Sequence, residues 1–127
     1  MSQPELPPLL REQLARYDQA QQNLQAVLAQ KQQVELELSE TDKALEELGK
    51  ATDSEPVYKF AGNLLIKTKK EDVTKELIEK KELANTRKMV LAKQESRFRE
   101  SLKDLQVKID ESMKARPSQT QQPPGDA

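Results

Sequence analysis

The side chains able to do chemistry in this sequence are carboxylates, amines and hydroxyls. Twenty-two Asp and Glu stand against twenty-one Lys and Arg in 127 residues, and His and Cys are both absent. Without imidazole or thiol there is no histidine base and no thiolate nucleophile. Disulfides, iron–sulfur clusters and Cys/His zinc sites are excluded for the same reason. The three glycines, Gly49, Gly62 and Gly125, are too far apart for G-x-G-x-x-G or a phosphate-binding P-loop. That leaves carboxylates as the acid–base groups present in quantity. Catalysis by carboxylates needs a concave site that shifts their pKa values. Here they recur through highly charged stretches that place them on solvated helix surfaces. The sequence therefore reads as a non-enzyme, with no catalytic residue, no cofactor and no metal site.

The elements that would have to position a site are themselves unusual. Hydrophobic residues make up 35% and aromatics 3%, against about 45–50% apolar in a typical globular domain. A compact single-core globule is not expected, because bulky aromatic core volume is nearly missing. At this length the chain is one domain at most. The longest apolar runs, such as Leu64-Leu65-Ile66 and Met89-Val90-Leu91-Ala92, fall far short of the roughly 18 residues that span a bilayer. The N-terminus lacks a signal-peptide pattern, so the expected localisation is cytoplasmic. A net charge of −1 argues against a dedicated nucleic-acid binder. The charge is segregated, however. Residues 5–55 hold five basic against eleven acidic side chains, and residues 69–116 hold fourteen basic against ten acidic. The two halves complement each other, so either they pair or each meets a partner of opposite sign.

Five segments follow along the chain. Residues 1–8 are a Pro-rich lead-in, and residues 116–127 are a polar, Pro-rich tail expected to be disordered. Residues 9–50 lack Pro and are rich in strong helix formers. Leu10, Tyr17, Leu24, Leu38 and Leu45 fall on one seven-residue spacing, interrupted by Lys31. Their i+3 companions Ala20, Val27, Val34 and Leu48 complete a coiled-coil seam, which Leu14 and Leu28 widen. Gly49 is placed as the C-terminal cap of this helix. Residues 71–115 form a second helix, with Leu77, Ala84, Leu91, Phe98 and Leu105 repeating every seven residues. Val73, Leu102, Ile109 and Met113 fill neighbouring seam positions. Lys80, Lys81, Arg87 and Lys88 make the middle of this seam weaker.

Residues 51–70 are a linker and hairpin. Two β-prone runs, Val57–Phe60 and Leu64–Lys67, flank Gly62-Asn63, a tight turn in which Gly supplies the first unusual φ. The fold class is therefore mainly α: a long antiparallel two-helix coiled coil with one β-hairpin between the helices. A lone hairpin is marginal in water. This one has apolar residues on both faces and two open edges, which invite pairing with other chains. The hairpins are expected to assemble into an oligomeric β-barrel platform. At the opposite ends of the helices, Leu6, Leu9, Leu10 and Leu14 meet Leu105, Ile109 and Met113. Two helices alone do not bury all of these, and exposed Leu, Ile and Met suit promiscuous apolar contact. The competing reading is that they are ordinary seam residues of a fraying coiled coil.

The segment Pro56-Val57-Tyr58-Lys59-Phe60-Ala61-Gly62-Asn63-Leu64-Leu65-Ile66-Lys67 resembles the hairpin of the prefoldin β subunits. The Gln-rich first helix and the stretch Lys43-Ala44-Leu45-Glu46-Glu47-Leu48 are also similar, and the resemblance covers roughly residues 9–114. Room for only one hairpin places the chain in the β class, since the α class has two. The resemblance implies an ATP-independent holdase, a hexamer of two α and four β subunits with six coiled-coil arms. It implies that arm tips grip unfolded proteins and deliver them to a group II chaperonin. Carried over, Val57, Tyr58, Lys59, Phe60, Leu64, Leu65, Ile66 and Lys67 become the assembly strands, with Gly62 and Asn63 as the turn. The seven residues named at the helix ends become client contacts. The basic end of helix two (Lys108, Lys114, Arg116) is a candidate contact for an acidic chaperonin surface, or simply complements the helix dipole.

Two rival functions compete with this reading. An adaptor coiled coil without a folding role accounts for the heptads and the scarcity of aromatics. It does not account for an apolar hairpin where a short loop would suffice. Nucleic-acid binding would use the basic residues Lys67, Lys69, Lys70, Lys80, Lys81, Arg87 and Lys88. Acidic residues are interleaved among them, as on a solvated helix face.

Overall fold

A computed structural model describes residues 6–115 of the chain. Most of the lead-in and the whole 116–127 tail lie outside the described residues. The elements are α1 (Pro8–Lys50), β1 (Val57–Ala61), β2 (Leu64–Thr68) and α2 (Lys70–Ala115). Pro8 takes the first helical position, where its missing N–H costs nothing and its φ is already helical. Glu71 and Asp72 sit in the first turn of α2 and Lys114 in its last. Each charge opposes the local end of the helix dipole. By packing, the chain divides into two compact units: residues 29–92, and residues up to 28 together with those from 93 onward.

The unit of residues 29–92 holds the hairpin. Its seam is built from Val34, Val73, Ala84 and Leu91, all buried. Asp42 pairs with Lys81 at 2.7 Å and Glu37 with Arg87 at 3.4 Å. Rising numbers on α2 meet falling numbers on α1, so the helices here run antiparallel. The two pairs also join the acidic half of the sequence to the basic half. Thr41 is buried as well, and its hydroxyl donates to the Glu37 carbonyl at 2.7 Å. The bond satisfies the hydroxyl within its own helix. Lys31 is half-buried at its seam position.

Gly49 is not the left-handed cap that its position suggested. It lies inside α1, and Gly62 is the only residue with positive φ among those described. The helix runs on through Lys50, and the Ala51 N–H donates to the Leu48 carbonyl at 3.1 Å. A tightened last turn thus replaces the glycine cap. The Lys70 ammonium covers the exit, donating to the Ala51 carbonyl at 2.7 Å, with Asp53 3.7 Å away. Thr52 and Glu55 close the following turn through a backbone bond of 3.1 Å and a side-chain bond of 3.2 Å.

In the other unit the buried seam is Leu10, Ala20, Leu24, Val27 and Ile109. Tyr17, Phe98, Leu102 and Leu105 are half-buried beside it. Ser112 donates to the Gln13 side-chain oxygen at 2.8 Å, so the start of α1 lies against the end of α2.

Candidate functional site

The hairpin is where apolar side chains most conspicuously lack a home. β1 and β2 pair antiparallel, Val57 opposite Thr68 and Ala61 opposite Leu64, leaving a two-residue turn. Gly62 stands at φ 64°. Gly at the first central position is what the right-handed twist of a type II′ hairpin requires. The register puts Val57, Lys59, Ala61, Leu64, Ile66 and Thr68 on one face, and Tyr58, Phe60, Leu65 and Lys67 on the other.

The first face leans on α2. The Lys59 ammonium donates to both carboxylate oxygens of Glu76, at 3.0 and 3.1 Å. Val57, Lys59 and Thr68 are half-buried there. The second face is open. Phe60 is 79% exposed and its cross-strand partner Leu65 59%. Leu64 is 65% exposed at the turn end of the first face, and Tyr58 and Ile66 are exposed too. Covering these five side chains in a partner interface is worth on the order of 5 kcal/mol per hairpin. Both strand edges also keep unpaired backbone groups.

The seven residues expected at the helix ends separate into three sets. Leu9 and Met113 are 62% and 53% exposed, and Leu14 is exposed as well. Leu6 and Leu105 are half-buried. Leu10 and Ile109 are buried, Leu10 to 1%. They belong to the seam, and a ligand reaches them only if the helices part. Gln13 and Ser112, which the sequence reading passed over, form a polar layer among them. Their signal was spacing: Gln13 follows Leu10 by three and Ser112 follows Leu105 by seven. Further exposed apolar side chains lie on α2 in the hairpin unit, among them Ile78, Leu83, Met89 and Val90.

Nothing among the described residues gathers three or more metal-ligating side chains. An open hollow of about 930 Å³ lies where the hairpin meets α2, lined by Lys67, Lys69, Lys70 and Lys75 with Asp53 and Glu55. Lys70 is already engaged there, as described above. No helix among the described residues is long and apolar enough to cross a membrane.

Two long helices joined by one exposed antiparallel hairpin define a helical-hairpin class of subunit whose strands lack partners. The family model for prefoldin subunits matches residues 11–116, and the chain belongs to that family, in its β class. The family is one of chaperone subunits, not known enzymes. The prefoldin subunit beta of Archaeoglobus fulgidus is 50% identical over 83% of this chain and 90% of its own length. That of Saccharolobus islandicus is 44% identical over 85% of this chain and 86% of its own. The crystal structure of the prefoldin beta subunit from Thermococcus strain KS-1 is similar at a TM-score of 0.77 and 39% identity. The match covers 90% of this chain and 98% of that one.

Proposed function

We propose that the chain is a subunit of a cytoplasmic, ATP-independent holdase. Its hairpins join those of other copies and of a distinct α subunit into a β-barrel platform, in a hexamer of two α and four β chains. Its distal helix ends hold unfolded proteins and hand them to a group II chaperonin. The observation that carries the reading is the exposed hairpin: Tyr58, Phe60, Leu64, Leu65 and Ile66 line a strand pair too small to be stable alone. Exposed Leu9, Leu14 and Met113 supply apolar contact at the distal ends. Each such contact is weak, and a platform that presents several at once raises their effective concentration. Release then needs no nucleotide, because single contacts let go one at a time.

The test is aggregation of a chemically denatured protein diluted into buffer without ATP. The full chain in its assembly is expected to suppress aggregation. A chain cut back before Leu14 and after Leu105 is expected to assemble and to lose that suppression. Suppression unchanged by the truncation would overturn the client-site reading.

A further inference from the structure

The unit that pairs the start of α1 with the end of α2 carries a groove that the helix-end residues do not explain. Two adjoining open hollows of about 380 and 420 Å³ share Asn23 and Phe98 in their walls. Ala20, Ala26, Val27 and Leu105 complete the apolar lining. Phe98 and Leu105 are half-buried in the groove wall, and Ala20 and Val27 are buried.

Two cations stand along this groove. Arg97 lines one hollow and Lys108 the other. They are eleven residues apart, three helical turns, so they share one stripe of α2 about 16 Å apart. Phe98 and Leu105 lie between them in sequence and along the helix. Neither Arg97 nor Lys108 is ion-paired among the described residues. Arg16, on the same rim, is already held by Glu12 at 2.8 Å. Asp104 is the one carboxylate in the lining.

We propose that this groove holds an extended apolar segment of unfolded polypeptide whose flanking residues are acidic. The spacing fixes the length. An extended chain rises about 3.3 Å per residue, so about five residues reach from one cation to the other. Apolar side chains of the segment fill the trough beside Phe98. The Gln94 amide on the wall offers a donor and an acceptor to the peptide backbone. The two free cations attract acidic flanks and repel Lys or Arg in their place. The inference rests on the holdase reading and adds to it a preference among clients.

The experiment uses the full chain in its native assembly and two fluorescein-labelled peptides. They share one apolar centre and carry Asp at both ends or Lys at both ends. The Asp peptide is expected to bind about fivefold tighter at low ionic strength. The difference is expected to vanish at 1 M salt, where the Debye length falls to about 3 Å. Phe98→Ala is expected to weaken both peptides about tenfold. Arg97→Glu combined with Lys108→Glu alters only exposed side chains and is expected to invert the preference with helicity unchanged. Equal affinity for the two peptides, or charge reversal without effect, would overturn the proposal. A change in native mass on charge reversal would assign the groove to a second copy and overturn it as well. Aggregation suppression measured in parallel separates the two levels. Suppression without peptide preference removes the groove alone, whereas no suppression by the unmodified chain removes the holdase reading and the groove with it.

Discussion

At the scale of residues, the seam is decided by spacing more than by residue type. Val34 is fully buried and Thr41, seven residues on, is nearly so. Val34→Ala is expected to cost about 2 kcal/mol, from lost burial and the cavity left behind. Thr41→Val is expected to act the other way, gaining about 0.5–1 kcal/mol. The Thr41 hydroxyl bonds a helix carbonyl, so its removal strands no donor. Thermal melts at fixed chain concentration measure both, because assembly itself shifts the midpoint. The buried apolar seam residues were legible from the sequence, whereas Leu14 and Met113, placed on the same seam, are exposed. Thr41, Gln13 and Ser112 were not legible, since polar type masked positions that lie on the same lattice. Each is tolerated because it finds a partner within the helix pair. The two described glycines make a matched contrast. At Gly49 the backbone is helical and a Cβ would meet nothing within 4 Å. Gly49→Ala is therefore expected to stabilise by about 0.5 kcal/mol. At Gly62 there is equal room but φ is +64°, so Gly62→Ala is expected to cost about 1–2 kcal/mol through the backbone alone. Glycine type alone did not distinguish the two in the sequence; dihedral angle does.

At the scale of elements, the hairpin and both helices were legible because each has its own signal. The helices show the seven-residue period and lack proline. The hairpin shows two β-prone runs around Gly62-Asn63. Which face of the hairpin is free was not legible, because apolar residues occupy both. Val57, Lys59 and Thr68 of one face are half-buried, with Lys59 paired to Glu76 of α2, whereas Tyr58, Phe60 and Leu65 of the other are exposed. Likewise the sequence offered seven apolar residues at the helix ends without ranking them. Packing retires Leu10 and Ile109 to the seam and leaves Leu9, Leu14 and Met113 outside. Leu65, on the free face, is accordingly the sharper place to interrupt assembly. A carboxylate there meets solvent in the single chain, so Leu65→Asp is expected to preserve helicity, measured by circular dichroism. In a buried partner interface the same carboxylate is costly to desolvate, so assembly is expected to fail.

At the scale of the whole molecule, the division of charge along the sequence has a partial answer within the chain. Asp42–Lys81 and Glu37–Arg87 join its acidic and basic parts. These pairs are solvent-exposed, worth less than about 1 kcal/mol each, so they set register more than stability. The unpaired apolar area on the hairpin is the larger free energy, and in the proposed assembly it would be realised between chains. The proposed assembly is therefore joined through the hairpin. The most direct measurement is the native mass, by light scattering and native mass spectrometry, of the complex this chain forms in extract of its own cells. The expected result is a hexamer that contains a second, two-hairpin subunit and dissociates when Leu65 is replaced by Asp. A monomer or simple dimer, or a hexamer that Leu65→Asp leaves intact, would contradict it.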